Sequence, residues 1–128
     1  MIISLPYFDK ALAALIQDLH NRGMADDVSV VAWGEFGRTP RINKNGGRDH
    51  WGNLCPLVFV GGGLKMGQVI GQSDSHGGEP ISDRVSSQHV LATIMNTLFD
   101  TGKLRLQQGI PREIEATMTS GDPISQLF

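Results

Sequence analysis

The chain has 128 residues, with 40% hydrophobic and 19% charged, which is the composition of one globular domain large enough to bury a core. A net charge of -2 argues against a general nucleic-acid binder, which carries a basic excess. A lone cysteine, Cys55, excludes an intramolecular disulfide and a zinc ribbon, and no apolar run approaches the roughly 20 residues of a membrane span.

At the amino terminus, MIISLPYFDKAL has neither a basic leader segment nor a small-residue cleavage site, so no address is readable there. Leu5, Phe8, Leu12, Leu15 and Leu19 recur at steps of three and four, which predicts an amphipathic helix over residues 6–22 with Gly23 as its stop. Asp26 and Asp27 mark a turn before a β-branched strand at 28–33. Residues 34–55 form a polar connection longer than the ~12–15 residues at which structureless loops become uncommon. Two tryptophans and a proline bracket it, so an ordered functional loop is expected.

A strand at 56–61 then runs into Gly61-Gly62-Gly63. A short edge strand is expected at 68–71 and a loop at 73–80. The second helix is predicted over 83–98, capped by Ser82, with Val90, Leu91, Ile94, Met95 and Leu98 as its buried stripe. Beyond Asp100 the pattern predicts one short helix near 112–119 and a terminal apolar anchor of Ile124, Leu127 and Phe128.

The chemistry concentrates in 34–55. Arg38, Arg41, Lys44 and Arg48 are four of the 11 Lys and Arg residues, and within this stretch only Glu35 and Asp49 oppose them, so the loop can attract an anion. Glu35 lies two residues past a strand end, where open α/β folds place their chemistry, and could serve as metal ligand or general base. Asp49 and His50 supply the oxygen and nitrogen donors that divalent metals take. Their alternative is an aspartate capping a turn beside a hydrogen-bonded histidine. Arg38 could clamp two oxygens of a sulfate or phosphate, or instead form an internal salt bridge to Glu35 or Asp49.

His76, in the 73–80 loop, suits a substrate-facing lid or plain solvent. His89 reads as a helix residue, and His20 faces outward near a helix end. Cys55 is followed by Pro56, Leu57, Val58 and Phe59, which breaks the sulfatase nucleophile signature. A G-x-S-x-G elbow, a P-loop and a G-x-G-x-x-G fingerprint are also missing, so no nucleophile is readable.

The run WGEFGRTPRINKNGGRDHWGN, followed by a strand and GGGLKMGQVIGQSD, resembles the carboxyl-terminal part of the sulfatase-like domain-of-unknown-function family 1501 of the alkaline-phosphatase-like superfamily. The similarity runs from the helix at 12–23 through 28–74 and more loosely over 90–98. It implies a three-layer α/β/α alkaline-phosphatase-like sandwich, with residues 1–128 as a single domain that is the carboxyl-terminal portion of a larger one. By superfamily analogy it implies hydrolysis of sulfate or phosphate esters with a divalent metal, whether zinc, manganese or calcium.

Under this resemblance Glu35, Asp49 and His50 would meet the metal, with Asp49 orienting His50. Arg38 would act on the reacting anion, and Arg38, Arg48 and His76 would bind an anionic small-molecule or glycan ester. The superfamily carries its nucleophile in the amino-terminal half, and its Asp-His metal pair appears here as Glu35-Phe36. The competing expectation is a non-catalytic anion-binding or assembly module. A homo-oligomer, or an amino-terminal half as partner, is expected because a sheet cut from a larger fold leaves an unpaired edge. Neither nucleic acid nor membrane is expected as a partner. Family members are often exported, but the compartment of this chain is not readable.

Overall fold

The leucine spacing produces the first helix, α1, at Ser4–Asn21 in the computed structural model, which describes residues 4–82 and 84–128. It ends in a Schellman turn, with Met24 N–H bonded to the Leu19 carbonyl at 2.9 Å and Gly23 N–H to the His20 carbonyl at 3.0 Å. His20 is exposed in the last turn, as expected.

Strand β1, Ser29–Trp33, follows, and the polar connection after it contains a second ribbon, β2 at Gly37–Arg38 paired with β3 at His50–Trp51. Strand β4, Leu57–Gly61, returns antiparallel to β1, with Val30 opposite Val60 and Trp33 opposite Leu57. The glycines after it are needed: Gly61 has φ +77, and a Cβ there would run into the Val28 and Ala25 carbonyls. Gly62 N–H then reaches the Ala25 carbonyl at 2.9 Å, closing the start of β1 against the end of β4.

The short strand expected at 68–71 lies instead at β5, Gln72–Ser73, paired with β6, Pro80–Ser82. The turn decides this position. The Asp74 carboxylate accepts from Gly78 N–H at 2.7 Å and His76 N–H at 3.1 Å, and Asp74 N–H donates to the Glu79 carbonyl at 2.9 Å, so pairing starts immediately outside that turn.

The second helix, α2, spans Ser87–Leu98, not 83–98, and its cap is Ser86, not Ser82. Ser82 belongs to β6, and Asp83 lies outside the described residues. Ser86 and His89 cap each other: the serine hydroxyl accepts from His89 N–H, while His89 Nδ1 accepts from Ser86 N–H at 3.1 Å. The inward face is Val90, Ala92 and Thr93, whereas Leu91 and Leu98 of the expected stripe are exposed.

A short helix not anticipated from the sequence, α3 at Thr101–Leu104, is capped by Asp100. Helix α4, Arg112–Thr119, falls where it was expected. Ile124 and Leu127 of the terminal anchor are buried against Val90, with Leu57, Phe59, Leu64, Ile70, Val85 and Ile94 around them, but Phe128 is exposed. Thr93, fully buried, welds that terminus to α2: its hydroxyl donates to the His89 carbonyl at 2.8 Å and accepts from Ile124 N–H at 2.9 Å. The result is a mixed α/β fold, with helices and, among the described residues, three two-stranded antiparallel sheets. Among the described residues no helix is long and apolar enough to cross a membrane.

Candidate anion and metal site

The loop that leaves β1 is anchored at its base. The Cys55 thiol donates to the Gly34 carbonyl at 2.8 Å. Gly37 passes so close to Leu54 that a Cβ at this position would collide with the Leu54 carbonyl oxygen, so the ribbon can form only with glycine there. The β2–β3 register sets Arg38 directly opposite His50, which puts both side chains on one face of the ribbon.

Phe36 supports that face. Its ring stacks on the His50 imidazole, with centroids 3.7 Å apart and planes 26° apart, and the Arg38 guanidinium carbon lies 5.6 Å from the same ring centroid. The phenyl group that stands where a second histidine was expected is therefore the platform on which His50 rests.

Beyond the ribbon the chain folds back on itself around Asn43. The Asn43 side-chain oxygen accepts from Asn45 N–H and Gly47 N–H, both at 3.0 Å, and its amide donates to Asp49 Oδ1 at 2.8 Å. The Thr39 hydroxyl donates to the Arg41 carbonyl and accepts from Asp49 N–H at 3.0 Å. One nitrogen of Arg48 donates to the carbonyls of Thr39 and Pro40, at 2.7 and 2.5 Å, so this guanidinium braces the loop from within. Arg38 makes one long bond, from Nη1 to the Arg48 carbonyl at 3.3 Å.

Charge is left uncompensated. Among the described residues the ion pairs are Arg22–Asp18 and Lys103–Asp100, and both lie outside this loop. Arg38, Arg41, Lys44 and Arg48 thus face no carboxylate at salt-bridge distance, and the internal pairing of Arg38 with Glu35 or Asp49 does not form. Glu35 and His50 are both exposed, and neither the Glu35 carboxylate nor the His50 ring nitrogens hydrogen-bond to any described residue.

A catalytic metal site needs about three protein ligands. Among the described residues no three His, Cys, Asp or Glu side chains converge on one point. Asp49 is turned into the loop, where it answers Asn43 and does not touch the imidazole next to it, as expected for consecutive residues of an extended chain. Glu35 keeps a carboxylate oxygen and His50 a ring nitrogen without a hydrogen-bond partner among the described residues.

His76 is brought toward the loop but not into it. The Trp51 indole donates to the Gly78 carbonyl at 2.8 Å and the Asn53 amide to Glu79 Oε1 at 2.5 Å, which docks the β5–β6 turn against the ribbon. His76 itself is exposed, with Nδ1 3.2 Å from the Ser75 hydroxyl. In that turn the Asp74 carboxyl is held below its ordinary value, chiefly by the Gly78 N–H and less by His76, against an opposing desolvation. An open groove of about 560 Å³, lined by Cys55, Leu57, Phe59, Ile70, Arg84 and Leu127 among others, borders the base of the loop.

Glu35, Arg38, Arg48, Asp49 and His50 therefore share one loop as the sequence suggested, with His76 on a neighbouring turn. Phe36 was noted only as standing in place of an imidazole, and the supporting residues Thr39, Asn43 and Trp51 were not singled out. Asn43 could have been, because N-K-N-G-G is a turn composition with an asparagine at its start.

A family model described as "Protein of unknown function (DUF1501)" matches residues 3–128. Neither a curated protein nor a solved structure matches the chain.

Proposed function

The chain belongs to the DUF1501 family, and from its loop geometry we propose that it is the anion-binding, carboxyl-terminal part of a sulfatase-like or phosphatase-like hydrolase that acts on sulfate or phosphate esters with a divalent metal. The observation that carries this reading is the Arg38–His50 pair, set side by side on a braced ribbon, with no carboxylate among the described residues neutralising the arginine.

In this reading the Arg38 fork takes two oxygens of the ester anion, a planar fit that a lysine cannot reproduce. Phe36 fixes the His50 ring, so that its outer nitrogen faces the same space without first reorganising. Arg48 holds the loop in shape and adds positive potential, and His76 meets the outer part of the substrate from the docked turn. A divalent metal, whether zinc, manganese or calcium, would be held by Glu35 and His50 with further ligands from beyond this chain, and would polarise the ester. Asp49 serves that site by keeping the loop closed.

The finer architecture we propose is a layered α/β/α sandwich. It is supported by β1 and β4, whose uncharged runs SVVAW and LVFVG suit strands covered on both faces.

One observation favours a second reading, a non-catalytic anion-binding module: three metal donors do not converge among the described residues. Calorimetry with sulfate and phosphate, zinc, manganese and calcium uptake, and turnover of aryl sulfates and aryl phosphates separate the two. The hydrolase reading expects anion binding that Arg38→Ala removes and metal uptake that His50→Ala removes. Anion binding without metal uptake selects the second reading, and absence of both defeats each of them.

A further inference from the structure

The tip of the cationic loop turns at Gly46, whose φ of +75 suits glycine and strains any residue with a Cβ. The residue before it is Asn45, and Asn45-Gly46 is the one Asn-Gly step in the chain. An asparagine side chain places its carbonyl carbon where attack by the next backbone nitrogen closes a succinimide ring. A following glycine leaves that nitrogen unshielded, so the turn that requires Gly46 also exposes Asn45 to this reaction.

Side-chain bonding separates Asn45 from the other four asparagines. The Asn43 amide donates to Asp49, the Asn53 amide to Glu79 and the Asn96 amide to the Ala92 carbonyl, while the Asn21 oxygen accepts from Gln17. None of these four precedes a glycine. Asn45 is exposed, and its side-chain amide bonds to no described residue. Nothing lies within 4 Å of the position a Cβ on Gly46 would take, so the attacking nitrogen is open to solvent base.

One residue restrains the tip. The Asn43 side-chain oxygen accepts from Asn45 N–H and Gly47 N–H, its carbonyl accepts from Gly46 N–H at 3.0 Å, and its own N–H donates to the Gly47 carbonyl at 2.7 Å. The Gly46 nitrogen attacks only after it gives up its proton, so its bond to Asn43 must open first.

We propose that Asn45 is a self-modification site whose conversion is gated by Asn43 and lowers the anion affinity of the loop. The Gly46 nitrogen loses its proton to solvent base and bonds to Asn45 Cγ, the Cγ–Nδ2 bond breaks, and Nδ2 departs as ammonia. Water then opens the ring at either carbonyl. Opening at Cγ leaves an aspartate with the ordinary backbone, and opening at the main-chain carbonyl leaves an isoaspartate whose backbone runs through the side-chain carbon. The balance is amide and water to carboxylate and ammonium, with no oxidant or reductant. Either product adds a carboxylate where Arg38, Arg41, Lys44 and Arg48 meet only Glu35 and Asp49, which halves the positive excess of the stretch. The isoaspartate also lengthens the main chain inside the 43–47 turn and shifts the Gly46 and Gly47 amides away from Asn43. The conversion stands on the loop geometry alone, and its effect on affinity rests on the anion-binding reading above.

Purified folded chain held in mildly alkaline buffer, followed by peptide mass spectrometry and ammonia release, tests the site. The mass gain of amide-to-acid conversion should appear at Asn45, as two chromatographically separable products, and Asn45→Gln should abolish it. Asn43→Ala, shown folded by circular dichroism, should convert about tenfold faster, the factor expected from loss of the bonds that close the tip. In the unaltered chain, urea-unfolded protein should convert faster than folded protein, a comparison that needs no variant. Sulfate affinity should fall as the converted fraction rises. Conversion confined to the unfolded chain, conversion spread equally over the asparagines, or equal rates in Asn43→Ala and the unaltered chain would each overturn the proposal. Conversion at Asn45 in a chain that never binds sulfate would uphold the modification site and count against the anion-binding reading instead.

Discussion

One nitrogen of Arg48 is bound to the carbonyls of Thr39 and Pro40 and braces the loop, while Arg38 makes one long bond to the Arg48 carbonyl. Arg38→Lys keeps the charge but loses the planar fork, so sulfate affinity should fall about tenfold, a difference of about 1.4 kcal/mol readable by calorimetry. Asn43→Ala removes the acceptor for two backbone amides and the donor to Asp49. It should cost about 1–2 kcal/mol in urea unfolding and weaken anion binding with it. Asp74 makes a pH prediction. Its folded pKa lies below the ordinary value of an aspartate carboxyl, so its stabilising contribution is present above that ordinary value and is lost as pH falls through the lower folded one. The Gly78 amide resonance should therefore shift in acid below about pH 3.8, and Asp74→Asn should abolish that shift. At this scale the sequence showed that Glu35, Arg38, Asp49 and His50 share one loop, because they stand close together in the chain. The stacking of Phe36 on His50 was not legible, because it depends on the β2–β3 register, which a linear pattern does not contain.

Among the elements, those with several repeats of their own period were legible. Helix α1 has five leucine or phenylalanine positions in phase, and α4 follows Pro111, which suits a helix start. Two-residue strands have no period to read, which is why β5 was expected a few residues too early. The start of α2 was ambiguous because Ser82 and Ser86 stand four residues apart before the same apolar run. What selects Ser86 is the reciprocal bond with His89, an imidazole in the place usually taken by glutamate or glutamine. Ser86→Ala should cost about 1 kcal/mol of stability in urea unfolding, as loss of an N-cap does. Gly37→Ala should cost about 1–3 kcal/mol in the same measurement, since its methyl group meets the Leu54 backbone and not a side chain that could move. The glycine sits next to Arg38, so this variant should also lose anion affinity.

For the whole molecule, the mixed α/β class was legible from the alternation of helical and β-branched runs, but layer order was not, because it depends on which faces are covered by what. The buried core is small, centred on Val90, Ile124 and Leu127, and a large surface is exposed. The claim on which the functional account depends is that Arg38 recognises a tetrahedral anion. Titration of the purified chain with sulfate, followed by calorimetry, tests it most directly. The account predicts saturable binding that Arg38→Ala abolishes while the unfolding midpoint stays unchanged. Equal binding by the unaltered chain and Arg38→Ala, or no saturable binding by either, would contradict it.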